Sequence, residues 1–185
     1  MDLTKTEVKK SGPFGIAMGT LIEDLGFNVE EIAPFKYCSL SVPKPHSTFE
    51  KYVMEITPTH GVSWIKSISK EINTSPYGVE IKTEFEKMNS KLEKKYGKPE
   101  LTDMLLPGSI WNEPRDWTQS LINRERILMS QWDIKDRSNI FDGLISIGLI
   151  ASAYTTSEGY IAIEYTFSNN ESAQQEVASL EDDVL

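Results

Sequence analysis

The chain has one cysteine, two histidines and no lysine or arginine after Arg137. A single Cys38 excludes an internal disulfide and agrees with a reducing compartment. Its place beside Leu40 and Val42 in a strand-like run predicts a buried structural thiol. There is no His-x-x-x-His, no cysteine pair and no Glu-x-x-His, so the converging ligands of a zinc site are missing. His46 and His60 each lie by Pro or Gly in turns and read as solvated surface residues. Asp133, Asp136, Asn139 and Asp142 recur at every third position, but lack the alternate spacing, central Gly and closing Glu of a calcium loop. They read as turn residues that bond their own backbone. No Gly-x-Ser-x-Gly elbow, phosphate loop or dinucleotide fingerprint occurs. Neither a catalytic residue nor a cofactor is therefore expected, and no metal.

Long apolar runs are also missing. Nothing approaches the ~20 residues of a membrane helix, and the residues after Met1 show no apolar segment behind their charges. A signal peptide and a membrane partner are not expected, and a cytoplasmic location is. The one dense basic group, Lys91, Lys94, Lys95 and Lys98, is interspersed or flanked by Glu84, Glu86 and Glu93. Direct nucleic-acid binding needs clustered cations without such neighbours, so it too is not expected.

What is present is one-sided charge. Of the net −9, the first 137 residues contribute −1 and the rest −8. The acidic stretch holds Asp142, Glu158, Glu164, Glu171, Glu176, Glu181, Asp182 and Asp183. Charge placed in this way bears on what a protein binds and how fast it is found.

Periodicity supplies the elements. Apolar residues at Ile81, Phe85, Met88, Leu92 and Tyr96 form one stripe and predict a helix over 79–96, ended by Gly97 and Pro99. A short helix is expected at Thr20–Leu25 and another after Pro114. Strands are expected at 35–42, 51–57, 62–68, 126–132, 143–154 and 160–167, with hairpin turns at 59–61 and 155–159. The order of helix, three strands, two helices and three strands reads as a doubled unit. The expected class is α+β: an antiparallel sheet of about six strands with helices on one face, built as two helix-plus-three-strand repeats. Residues 1–12 are expected to be loose. Residues 13–168 should form one domain with halves 13–72 and 76–168, and 169–185 an acidic tail with a helical turn around Ala173 to Leu180.

Phe14-Gly15 and Gly19 before Glu23, with a later helix ending in Lys95-Tyr96-Gly97-Lys98-Pro99, resemble small bacterial proteins with tandem helix-plus-strand repeats. The β-lactamase-inhibitor-protein fold is the best-known version. The likeness covers 13–168 in outline and carries no catalytic residue. It implies a protein that binds other proteins, and it bears on function by analogy of fold alone.

The function expected is therefore a non-enzymatic cytosolic protein that binds a basic protein partner, of the immunity or antitoxin type. Asp142, Glu158, Glu164 and Glu171 would steer the partner and Trp111, beside Ile110 in a loop, would anchor it. One alternative is a phage- or mobile-element-encoded inhibitor that mimics nucleic acid. Others are an unrecognised enzyme, or a housekeeping domain with a solubilising acidic tail. The strand alternation places Glu164 opposite Ile163 and Tyr165, toward solvent.

Overall fold

The structure is a computed structural model and describes residues 12–134 and 141–183. The expectation for 1–12 falls outside those residues except at Gly12, and Asp136 and Asn139 fall outside them too.

A single antiparallel sheet organises the fold. Its strands are β1 (Glu30–Ala33), β2 (Lys36–Ser39), β3 (Phe49–Thr57), β4 (Gly61–Ser69), β5 (Ile72–Asn73), β6 (Glu100–Leu105), β7 (Arg126–Asp133), β8 (Leu144–Thr155) and β9 (Glu158–Phe167). The spatial order is β1-β2-β3-β4-β9-β8-β7-β6, with β5 added on β9. Two four-strand meanders thus meet where β4 pairs β9, with Ile65 opposite Tyr165 and Lys66 opposite Glu164. The helices are α1 (Val79–Tyr96), α2 (Trp117–Ile122) and α3 (Asn170–Asp182).

The hydrophobic pattern explains which face is covered. α1 packs on β8 and β9, and α2 on β7 and β8. The α1 stripe of Ile81, Phe85, Met88 and Leu92 is buried as its spacing predicts. Beneath it lie Ile147, Leu149 and Ala151 of β8 and Ile161, Ile163 and Tyr165 of β9, which are buried and share one sheet face through the β8–β9 register. The segment from Pro13 to Leu25 continues this cover, with Phe14 packed on Phe49, Tyr52 and Tyr165. We call this the closed face.

Several expectations need correction. Among the described residues the sheet has nine strands rather than about six. The missed strands β1 and β6 form its two edges, and their side chains are mostly exposed. An edge strand with little burial carries no alternation to detect. Helices are not confined to one face. Residues 169–183, expected as part of a tail, form α3 and its caps, and α3 packs against β3 and β4. It does so on the face opposite α1, because it bonds Glu55, whose strand partner Trp64 pairs with Thr166, away from the Ile163 and Tyr165 side. The expected helix at Thr20–Leu25 is a 3-10 turn at Ile22–Asp24. Strand β2 stops at Ser39, leaving Leu40 76% exposed and Cys38 half-buried rather than in the core.

A bulge re-aims one tryptophan. Glu55 pairs with Trp64 but Ile56 pairs with Val62, so Ser63 is the extra residue on β4. Val62 is fully buried, while Trp64 turns to the other side beside Glu55. An unbroken alternation would have kept Val62 and Trp64 together; the inserted residue separates them.

Candidate functional site

The face opposite α1 and α2 is the open face. Its two halves differ in what they present. In the β1–β4 half, register brings Lys36, Cys38, Lys51, Val53, Glu55, Trp64, Lys66 and Ile68 to it. In the β6–β9 half it carries Glu100, Thr102 and Met104, then Ile127, Met129, Gln131 and Asp133. Next come Ser146, Gly148, Ile150 and Ser152 of β8, and Tyr160, Ala162, Glu164 and Thr166 of β9. Among the described residues, the strands of this second half put no lysine or arginine on the open face.

The first half is closed by polar bonds. Glu55 is 2% exposed, a carboxylate that burial would disfavour unless it is paired and bonded. Its partners converge from three elements. The Lys36 ammonium pairs with it from β2. Ser63 Oγ donates to it at 2.9 Å, and Gln174 Nε2 of α3 donates to both its oxygens at 2.7 Å. Asn170 Nδ2 adds a contact at 3.3 Å. Lys36 also stands 4.8 Å over the Trp64 ring. Here the sheet's charge serves to seat α3.

A second set of bonds fixes the same helix at the β3–β4 turn. Glu176 Oε1 accepts the Thr59 N–H at 2.9 Å, and its Oε2 lies 2.8 Å from His60 Nδ1. Partial burial acts to raise the Glu176 pKa. The bonds from Thr57, His60 and Thr59 outweigh it and hold the carboxyl down at about 2. Asn169 Nδ2 bonds the His60 and Val62 carbonyls at 2.8 and 3.1 Å. His60, expected as a solvated turn residue, is half-buried in this latch.

The second half has different chemistry. Tyr154, 55% exposed, stacks on Tyr160 with ring centroids 4.7 Å apart. Ile127, Met129 and Ile150 are half-buried, with no helix over them among the described residues. Glu164 does turn away from Ile163 and Tyr165, and Lys66 of β4 reaches it at 2.9 Å. That bridge marks the seam between the halves. Acid and apolar surface thus alternate across a broad strand face.

The five residues singled out by sequence fall in separate places. Glu164 sits mid-strand on the open face, and Glu158 opens β9 beside the β8–β9 turn, within 3.4 Å of Thr155 Oγ1. Asp142 lies exposed in the turn before β8 and Glu171 in the first turn of α3, both near the opposite end of that hairpin. Trp111 is half-buried in the connection from β6 to α2, where its N–H donates to Ser109 Oγ at 3.2 Å. They do not form one cluster. Sequence reasoning missed Tyr154, Tyr160 and Glu100, whose common face depends on strand register, and Glu55, whose bonding partners lie in α3.

Among the described residues no group of three or more His, Cys, Asp or Glu side chains is placed to hold a metal ion, and no helix is long and apolar enough to cross a membrane. Comparison with family models, curated proteins and solved structures found no match.

Proposed function

We propose that this chain is a non-enzymatic cytoplasmic binding protein that neutralises a basic protein partner, in the manner of an immunity protein or antitoxin. The open face of β6–β9 is its docking surface. The observation that carries this reading is that face's composition: carboxylates and apolar side chains, with no lysine or arginine turned to it from β6–β9 among the described residues. A cationic partner meets attraction at Glu100 and Glu164 and apolar anchors at Tyr154, Tyr160, Ile150 and Met129. Carboxylates of this kind steer encounter and set specificity, while the buried aromatic contacts supply most of the affinity. The likeness to tandem-repeat inhibitors points the same way by analogy only.

A nucleic-acid mimic needs rows of uncompensated carboxylates. The Lys66–Glu164 bridge and the apolar content of the face favour the protein-binding reading.

The test starts from affinity capture in the native host, followed by association kinetics with the purified partner. The partner should be basic, and its association rate should fall by at least about tenfold between low and physiological salt. Tyr160→Ala and Ser152→Lys should each weaken binding while leaving the fold intact. A rate insensitive to salt, or full binding by both variants, sinks the proposal.

A further inference from the structure

The closed side holds a feature that partner docking does not use. Between the C-terminal half of α1, the Pro13–Gly15 turn and β9 lies a cavity of about 290 Å³. By the share of liquid volume that one water takes, this is room for about ten water-sized units. That is near the lower end of the range for small-molecule sites.

Its walls are rings. Phe14, Phe49, Tyr96, Phe141 and Tyr165 line it, over a floor that includes Ile163. Its cations are Lys44, Lys91 and Lys95, and among the described residues its lining contains no carboxylate. On a chain of net charge −9 that combination is unusual. The acidic side chains of α1 point elsewhere, and none of these three lysines makes an ion pair among the described residues. Lys95 takes its contacts from ring faces, 4.5 Å from the Phe141 centroid and 5.1 Å from that of Tyr96. Burial holds the Lys95 ammonium below the usual lysine range. Burial, and then the charge of Lys91, lower His46 as well. The phenols add no negative charge, because burial pushes Tyr96 up to about 12 and raises Tyr165 further.

The backbone at the rim is held in a costly shape. Phe14 has φ +56°, in the left-handed region, where a non-glycine side chain is disfavoured by about 1–2 kcal/mol. Gly15 follows at φ +81°, and a Cβ there would stand 2.9 Å from Pro43 Cβ and 3.4 Å from Lys44 Cγ. The Phe14 carbonyl accepts the Lys44 N–H at 2.9 Å. This strained pair brings a ring and a cation to the same rim. Strain of this kind collects at ligand sites, and here it coincides with a cavity and a charge cluster.

We propose that this cavity binds a small amphipathic anion. Its flat aromatic body lies against the rings of Phe14, Tyr96 and Phe141, and its carboxylate or phosphate is held by Lys44, Lys91 and Lys95. The rings supply apolar contact and edge-to-face geometry. The lysines supply charge-assisted bonds at the rim of the cavity, beside the rings.

The test uses the full chain and two probes of the same shape, indole-3-acetate and the neutral indole-3-acetamide, followed by calorimetry and amide NMR shifts. Indole-3-acetate should bind and shift amides of α1 and of the Phe14–Gly15 turn. The amide should bind at least about tenfold more weakly, the loss of one charge-assisted contact. The double variant Lys91→Gln and Lys95→Gln, both exposed positions that leave the core intact, should lose the preference for the acid while keeping its thermal transition. Phenyl phosphate in place of the indole acid separates a carboxylate preference from a general one for anions, and binding of either supports the site. Equal binding of acid and amide, an unchanged preference in the double variant, or no binding of any of the anionic probes at millimolar concentration overturns the proposal.

Discussion

The two meanders of the sheet share a topology and differ in how they handle charge. In the β1–β4 half the open face carries Lys36, Lys51 and Lys66 as well as Glu55, and its one buried carboxylate is fully engaged by Lys36, Ser63, Asn170 and Gln174. A helix lies over that end. In the β6–β9 half the strands bring carboxylates, tyrosines and aliphatic side chains to the same face, without a cation among the described residues and without a helix. The difference teaches that the acidic last quarter of the chain divides into two jobs. Glu176, with Asn170 and Gln174, is spent on seating α3, whereas Glu164, bridged to Lys66, and Glu158 stay on the sheet strands.

The largest expected effect breaks the first half. Glu55→Ala removes the acceptor shared by four partners and leaves Gln174 and Asn170 unmatched. The cost should be about 3 kcal/mol, a fall in Tm of about 6–12 °C, read by calorimetry. The fall should come with loss of amide protection in α3.

The next effect lies in the second half. Gly78 precedes α1 at φ +65°, and an added Cβ would stand 1.8 Å from Trp117 Cε3. Trp117 is 5% exposed and is held between Lys82 and Arg126, whose cations stand 4.4 and 5.8 Å from its ring centroid. Gly78→Ala should cost about 2 kcal/mol from the strained backbone and the overpacked ring together, seen as an earlier denaturant midpoint with an unchanged slope.

The third sharpens the role of α3. Glu176 is held at about 2 in the folded protein, below the value of about 4.3 for an unfolded glutamate. A depressed carboxylate contributes stability that is fully present above the unfolded value and is lost as pH falls through the folded one. α3 should therefore loosen between about pH 4.5 and 2, followed by hydrogen exchange of the Thr59 amide and of the α3 amides. Glu176→Gln should cost about 1–2 kcal/mol of docking at neutral pH and remove that carboxylate's share of the acid dependence.

The smallest stability effects test the function most directly. Lys66→Ala breaks a bridge whose side chains are 27% and 28% exposed, so it should cost under about 1 kcal/mol. Ser152→Lys should change stability by no more than about 0.5 kcal/mol. It nonetheless puts a cation on the open face of the second half, so partner binding should drop while Tm stays in place. A retained affinity would make the two halves equivalent in recognition and remove the charge argument.

The legible parts of this fold were those in which burial repeats with a fixed period. The α1 stripe and the β3–β4 and β8–β9 hairpins were readable because one face of each is buried along its length. The edges β1 and β6 were not, since little in them is buried. α3 was legible only as a helical turn in a tail, because it docks through Asn170, Gln174 and Glu176 and buries only Ala173, leaving no apolar stripe. Two details depend on local irregularities: one extra residue in β4 turns Trp64 away from Val62, and an early end to β2 leaves Cys38 half-buried rather than in the core. Of the candidate site, sequence supplied Glu164 and the absence of basic residues after Arg137. Tyr154, Tyr160 and Glu100 share its face only through register, which hydrophobic alternation leaves open until the partner strands are known.

The seam between β4 and β9 also sets an order of events at the ribosome. Trp64 waits for Thr166 and Ile68 for Ala162. At 5–20 residues per second, β4 emerges on the order of ten seconds before the strand that completes it. Through that interval the first meander presents a long unpaired edge, an invitation to pair with another nascent chain. Closure across so wide a sequence gap is intrinsically slow. The yield of native protein in the cell should then track how fast β9 is delivered, and chains interrupted before Glu158 should aggregate rather than accumulate as a folded half.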